Sequence, residues 1–187
     1  MTKQVGRCKA ITKNLLDLSR PEPALTEAMS LGPVLEEALR DIEPRVVRQG
    51  VRLVVDPGFR ELEVMANRRY LLQVLSNLLN NALDALEEQV DPTLQVAGSR
   101  QGAEVELVLA DNGPGLEEKT KAHLFEPFYT TKPPGKGTGL GLFVAYQLTK
   151  KMGGDIFLEN APAGGTVARL RLPSALAGNF RRAGERG

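Results

Sequence analysis

The chain has 187 residues, which gives room for one domain of ordinary size and an appendage. Its 24 basic and 23 acidic residues leave a net charge of +1, so the charge pattern gives no indication of a nucleic-acid-binding surface. A single cysteine excludes an internal disulfide, and without a signal peptide or a long apolar run we expect a soluble, cytoplasmic chain with no membrane segment.

The N-terminal segment, residues 1–23, has apolar residues at helical spacing until Pro21 and Pro23 interrupt the pattern. A helix of this length cannot bury its apolar stripe alone. It must pack on the following domain, on another copy of the chain or on a further helix. We assign residues 24–30 to a linker.

A second helix is predicted over residues 31–50, with Pro33 in its first turn and Gly50 at its end. Pro44 lies inside this pattern and weakens the prediction of a continuous helix, because proline lacks a backbone donor. Short strands are predicted next, around an Asp-Pro-Gly turn, at 51–55 and 61–66.

The strongest helical pattern covers residues 68–88, and its apolar face consists of Leu71, Leu75, Leu78, Leu79, Ala82 and Leu86. Further strands are predicted at 93–98 and 104–112, and a helix from about 140 to 152. The last elements are a hairpin, 155–160 with 165–173, and a frayed tail over 176–187.

Hairpin-paired strands with interspersed helices predict an α/β sandwich over residues 31–175. We expect one mixed, mostly antiparallel sheet with helices on one face. The strands and helices do not alternate regularly, which argues against a doubly wound dinucleotide fold.

One face of the 68–88 helix carries Gln73, Asn77, Asn81, Asp84 and Glu88. For Gln73 and Glu88 we expect a solvated surface role. Asparagine, however, is a poor residue for the interior of a helix. Its amide oxygen can ligate a hard cation without adding charge, which suits Mg²⁺ already neutralised by phosphates. Asn77 and Asn81 are therefore candidate ligand-binding residues.

Asp111 ends a predicted strand and is followed by Gly113 and Gly115. An aspartate at this position can simply initiate a turn. The alternative is a buried carboxylate that accepts a hydrogen bond from a ligand amine, with the glycines admitting a flat group close to the backbone.

Glycines alternate before the predicted helix at 140, at positions 135, 137, 139 and 141. Backbone amides at such a helix start can bind phosphate, although a flexible surface loop has the same composition. The Walker and Rossmann patterns do not fit, since Lys136 is followed by glycine and a long polar loop separates the glycines from the preceding strand. Lys132 and Lys136 are solvated charges or phosphate contacts, and we interpret His123 as a packed loop residue.

Taken in order, the motifs resemble the ATP-binding catalytic domain of two-component sensor histidine kinases. "LLQVLSNLLNNALDAL" is similar to the N box, "DNGPGL" to the first glycine box, "LFEPFYTTK" to the F box and "GTGLGLFVAYQLTKKMGG" to the second glycine box. The resemblance covers roughly residues 30 to 173. "GRCKAITKNLLDLSRP" is similar to the end of the second helix of a dimerisation hairpin.

This resemblance implies the Bergerat ATP-binding fold, with ATP and Mg²⁺ as ligands. It assigns Mg²⁺ to Asn81, the phosphate side to Asn77 and the adenine amino group to Asp111. Residues 125–139 would form a lid over the triphosphate. The implied ATP-binding residues are Asn77, Asn81, Asp84, Asp111, Gly113, Gly115, Lys132, Gly137, Thr138, Gly139, Leu140, Gly141 and Thr166.

The resemblance also implies transfer of the γ-phosphoryl group to a histidine. Relatives that hydrolyse ATP carry a glutamate one turn before the magnesium asparagine, where this chain has Asn77, an amide that cannot act as a base. The family's acceptor histidine precedes everything seen here, and His123 does not match it.

We therefore expect three partners: a histidine-bearing dimerisation helix, a response regulator indirectly, and a second copy of the chain as a candidate. The parent protein of such a domain can be membrane-anchored. Alternative hypotheses are a non-catalytic nucleotide-binding module that acts on a partner, and a serine kinase of the anti-sigma type.

Overall fold

The computed structural model describes residues 25–132 and 137–177. The helices are α1 (Leu31–Gln49), α2 (Arg68–Ala85), α3 (Glu118–Lys121) and α4 (Gly141–Lys151). The strands are β1 (Glu27–Ser30), β2 (Arg52–Val55), β3 (Glu63–Ala66), β4 (Thr93–Gln101), β5 (Glu104–Asp111), β6 (Asp155–Asn160) and β7 (Thr166–Pro173). The N-terminal helix predicted over 1–23, lid residues 133–136 and the tail beyond 177 lie outside the described residues.

The main sheet has five strands in the order β2-β4-β5-β7-β6. β2 runs parallel to β4, while β4, β5, β7 and β6 pair antiparallel along the rest of the sheet. Apolar side chains of these strands form one core with the buried faces of α1, α2 and α4. This architecture confirms the predicted mixed, mostly antiparallel sheet with helices on one face.

The linker predicted over residues 24–30 contains β1, which the sequence analysis did not anticipate. β1 pairs antiparallel with β3, placing Glu27 opposite Ala66 and Ser30 opposite Glu63. β2 and β3 therefore belong to different sheets, and the turn predicted between them is a 3₁₀ helix, Pro57–Glu61. A four-residue, mostly exposed strand has no periodic apolar pattern that could be detected in the sequence. β1 is therefore recognisable only from its pairing with β3.

α1 is continuous through Pro44 and ends at Gly50, whose φ of 64° is the left-handed conformation that glycine favours. α2 begins at Asn67, where the side-chain oxygen accepts a hydrogen bond from the Tyr70 N–H at 3.2 Å. The whole apolar face predicted for this helix is buried. Packing of α2 between α1 and α4 therefore leaves its asparagine stripe facing the loops that follow β5 and precede α4.

Candidate functional site

Asp111 ends β5 as a buried carboxylate, with 8% of the residue exposed. Its Oδ1 accepts hydrogen bonds from the backbone N–H of Gly113 at 2.9 Å and of Thr166 at 3.2 Å. Burial raises the pKa of the Asp111 carboxyl, and these two hydrogen bonds partly offset the increase. Within the described part of the chain, Oδ2 accepts no hydrogen bond, which leaves it available to a ligand donor.

Two glycines allow the backbone to close around Asp111. A Cβ atom on Gly113 would lie 2.9 Å from Asp111 Oδ1 and 3.0 Å from the Ala85 carbonyl oxygen. Gly165 has a φ of 92°, and a Cβ there would lie 1.9 Å from the Asp111 carbonyl oxygen. Gly113 was predicted from the motif, whereas Gly165 was predicted only as part of the C-terminal hairpin.

An apolar cavity of about 270 Å³ opens beside Asp111. Gly115 and Thr166, both predicted site residues, line it together with Asp111. Its apolar walls are Leu78, Ala82, Leu109, Leu116, Leu124, Leu142, Leu158 and Ala168. Apolar walls with one buried acceptor suit a flat heteroaromatic ring that carries an amine.

A polar cavity of about 370 Å³ lies next to the apolar one. Asn81, Asp84 and Lys132 line both cavities, so the two are contiguous. The polar cavity is also lined by Thr130, Thr131, Gly137, Thr138, Gly139 and Gly141. The structure thus brings most of the predicted residues together, and Asn77, Gly113 and Leu140 are the ones that line neither cavity.

Leu140 is a core residue, with 1% of its surface exposed. Its backbone N–H donates to Thr138 Oγ1 at 3.3 Å just before α4 begins. Its side chain therefore stabilises the fold, and only its backbone lies near the polar cavity.

Gly139 is the last residue of the predicted lid segment, 125–139. Its carbonyl oxygen accepts a hydrogen bond from the Phe128 N–H at 2.9 Å, and its φ is 66°. A Cβ at position 139 would lie 2.3 Å from the Phe128 carbonyl carbon. Only glycine therefore permits this approach of the two backbone segments.

A chain of ionic contacts crosses the edge of the polar cavity. Asp84 forms one ion pair with Arg45 of α1 through Oδ1 and another with Lys132 through Oδ2. The Lys132 ammonium also lies 3.4 Å from Asn81 Oδ1. A cation beside the Asn81 amide oxygen and the Asp84 carboxylate shows that this donor set fits a positive charge, as Mg²⁺ binding would require.

Asn77 is held by Gln73, whose Nε2 donates to Asn77 Oδ1 at 3.3 Å. Asn77 Nδ2 is buried and has no hydrogen-bond partner among the described residues. Gln73 is half-buried, and Glu88 is exposed as expected. An unsatisfied buried donor next to the start of α4 fits a ligand acceptor at this end of the site.

His123 lies outside both cavities. Its Nδ1 is 2.9 Å from Glu126 Oε1, and its ring centroid is 5.4 Å from that of Tyr129. This is the loop position beside an aromatic residue that the sequence predicted.

The sequence analysis missed three residues that shape the site: Arg45, Gln73 and Gly165. The four-residue spacing of Gln73 and Asn77 was a usable signal for their contact. No local signal exists for Arg45, which is 39 residues from Asp84.

Residues 66–176 match the family described as histidine kinase-, DNA gyrase B-, and HSP90-like ATPase. The match spans more than half of the chain and includes every cavity-lining residue named above. The chain belongs to this family. Its members among curated proteins and solved structures include sensor histidine kinases, as the following comparisons show.

The C4-dicarboxylate transport sensor protein DctB of Pseudomonas aeruginosa is 40% identical over 167 residues, covering 89% of this chain and 27% of DctB. The signal transduction histidine-protein kinase AtoS of Escherichia coli is 31% identical over 180 residues, covering 95% of this chain and 29% of AtoS. The chain therefore spans between a quarter and a third of the length of these relatives.

The catalytic domain of histidine kinase ThkA superposes with a TM-score of 0.69 at 27% identity, covering 79% of this chain and 95% of that domain. ThkA in complex with the response regulator protein TrrA gives a TM-score of 0.75 at 25% identity, covering 93% of this chain and 49% of ThkA. The neighbours confirm the ATP-binding histidine kinase fold. Across residues 25–132 and 137–177, no helix is both long and apolar enough to cross a bilayer.

Proposed function

We propose that this ATPase-family domain binds Mg·ATP and transfers its γ-phosphoryl group to a histidine on another segment or chain. The observation that carries the proposal is the continuity of the two cavities. The apolar cavity offers Asp111 to the adenine amino group, and the polar cavity offers backbone amides and Lys132 to the phosphates. Asn81, Asp84 and Lys132, at their boundary, would lie beside the ribose and phosphates.

Mg²⁺, when bound, would neutralise phosphate charge, and Asn81 Oδ1 is the chain's ligand for it. Lys132 would then leave Asn81 but keep its contact with Asp84, and its ammonium would contact phosphate oxygens. Asn77 supports transfer to a protein rather than to water, since an amide at this position cannot activate a water molecule. The chain's contribution to phosphoryl transfer is therefore positioning and charge neutralisation.

The acceptor would be an imidazole presented by a dimerisation helix. Its nitrogen bonds to the γ-phosphorus as the bond to the β–γ bridging oxygen breaks, and ADP leaves with the electron pair. ThkA in complex with TrrA supports a response regulator as the downstream partner of the parent protein.

The direct test mixes the chain with γ-labelled ATP and a histidine-bearing dimerisation hairpin taken from a sensor histidine kinase. We expect acid-labile, base-stable label on the hairpin, and no label on a hairpin whose acceptor histidine is replaced by alanine. Acid-stable label would instead support a serine kinase. Tight ATP binding that changes partner affinity without any phosphoprotein would support a non-catalytic module.

A further inference from the structure

Arg45 connects α1 to the nucleotide-facing side of α2. Its Nη1 donates to Asn80 Oδ1 at 3.2 Å and lies 3.4 Å from the Asn80 carbonyl oxygen, while Nη2 pairs with Asp84 Oδ1. Its side chain is 22% exposed, so these contacts are shielded from solvent in part. Arg45 also precedes residues 66–176, so the family match assigns it no role.

Asp84 is shared between two cations at the boundary of the two cavities. Arg45 holds Oδ1 and Lys132 holds Oδ2, and the Lys132 ammonium is thereby kept near Asn81 Oδ1. Arg45, Asp84 and Lys132 together carry one net positive charge. Without Arg45, the carboxylate would cancel the charge of Lys132 beside an anionic ligand.

We propose that Arg45 is a positioning residue for the triphosphate. By fixing Oδ1 of Asp84, it sets the direction of the carboxylate whose Oδ2 retains the Lys132 ammonium above the polar cavity. The inference rests on the proposed function, in which that cavity receives phosphates.

The guanidinium is suited to this task because it is planar and presents several donors in a fixed geometry. One group can therefore bind Asp84 and Asn80 at the same time. A lysine at position 45 would keep the charge but could not hold both partners in fixed directions. Comparing Arg45→Lys with Arg45→Gln therefore separates the effect of the positive charge from the effect of the guanidinium geometry.

The test measures binding of Mg·ATP and of adenosine by calorimetry to the wild-type chain and to Arg45→Gln, Arg45→Lys and Arg48→Gln. Arg48 lines a surface groove together with Arg45 and Asp84, but within the described residues it forms no ion pair with Asp84. We expect both Arg45 variants to weaken ATP binding about tenfold, which corresponds to the loss of one oriented ionic contact. Adenosine binding in all variants, and ATP binding in Arg48→Gln, should change by less than about twofold.

A double variant tests whether Arg45 acts through Asp84. In an Asp84→Asn background, Arg45→Gln should change ATP affinity by less than about twofold, because no carboxylate remains to be held. Thermal unfolding midpoints identify any variant that fails to fold. If Arg45→Gln alone fails to fold, the inference is tested by comparing ATP affinity in Asp84→Asn and in the double variant.

Each of three results would overturn the inference and leave the proposed function standing: wild-type ATP affinity in Arg45→Lys, equal weakening of ATP and adenosine binding, or an undiminished Arg45 effect without Asp84. A wild-type chain that binds no ATP would overturn the proposed function and this inference with it.

Discussion

Asp111 is the residue on which recognition of the base depends in this account. It is buried, and both of its hydrogen bonds from the described residues are made to one oxygen. We expect Asp111→Asn to weaken adenosine binding by about 1–3 kcal/mol, because an acceptor for the ligand amine is compromised in a buried site. Calorimetry with adenosine measures this, and Asp41→Asn, on the exposed side of α1, is the control.

The raised pKa of Asp111 predicts how base binding depends on pH. As the pH falls, this carboxyl takes up a proton at a higher pH than an unperturbed aspartate does, and the acceptor is then lost. Adenosine affinity should therefore decrease on acidification before ordinary carboxyl groups titrate. In Asp111→Asn this dependence should be absent; an unchanged pH profile would show that Asp111 is not the acceptor.

The Asn81 amide oxygen is the proposed metal ligand. Asn81→Ala should remove most of the increase in ATP affinity that Mg²⁺ produces, because a neutral ligand oxygen is lost. Adenosine binding should be unaffected, since Asp111 and the apolar walls remain. Titrations with ATP in the presence and absence of Mg²⁺ measure this increase in affinity. An undiminished increase in Asn81→Ala would show that Asn81 is not a metal ligand.

At the scale of elements, the sequence predicted most helices and strands but not every pairing. α2 was evident because its apolar spacing follows the helical period throughout. β1 was missed because four residues give no period, and its partner β3 lies more than thirty residues away along the chain. Strand pairing of this kind is fixed by tertiary contacts rather than by local sequence.

The backbone contact between Gly139 and Phe128 offers a test of the lid segment. Gly139→Ala should weaken ATP binding while leaving adenosine binding intact, because a Cβ would collide with the Phe128 backbone. Gly102→Ala is the matched control, since Gly102 has a similar φ of 63° but no atom within 4 Å of a Cβ. An equal loss of ATP affinity in the two variants would show that backbone strain alone, and not the contact with Phe128, causes the loss.

Glu106 of β5 is buried between Arg169 and Arg171 of β7, with its oxygens 3.2 Å and 2.8 Å from their nitrogens. The hydrogen bond from Arg171, opposed by burial, holds the pKa of Glu106 below its usual value of 4.5. A carboxyl with a lowered folded-state pKa stabilises the fold above its unfolded pKa, and this contribution is lost as the pH falls through the folded pKa.

We therefore expect Glu106→Gln to lower the free energy of unfolding by about 1 kcal/mol at neutral pH. The difference from wild type should disappear below the lowered pKa, where Glu106 is protonated. Urea unfolding at several pH values measures it. A difference that is constant from neutral to acidic pH would show that the ion pairs contribute nothing to stability.

For the whole molecule, the order of the motifs predicted the fold, and ten of the thirteen predicted site residues line the two cavities. What the sequence could not predict are the contacts between distant segments. The Asp111–Thr166 hydrogen bond spans 55 positions and the Arg45–Asp84 pair 39, and neither partner of Asp84 follows from a local pattern. The burial of Leu140 was not predictable for a similar reason, because only packing shows that its side chain enters the core.

We propose that one continuous cleft binds the base at Asp111 and the phosphates near Gly139. The most direct measurement is a titration of the isotopically labelled chain with a non-hydrolysable ATP analogue and Mg²⁺, followed by backbone amide resonances. We expect saturable shifts at Gly113, Thr166 and Gly139 together, with adenosine shifting only the Gly113 and Thr166 resonances. Absence of saturable binding, or shifts confined to residues outside both cavities, would contradict it.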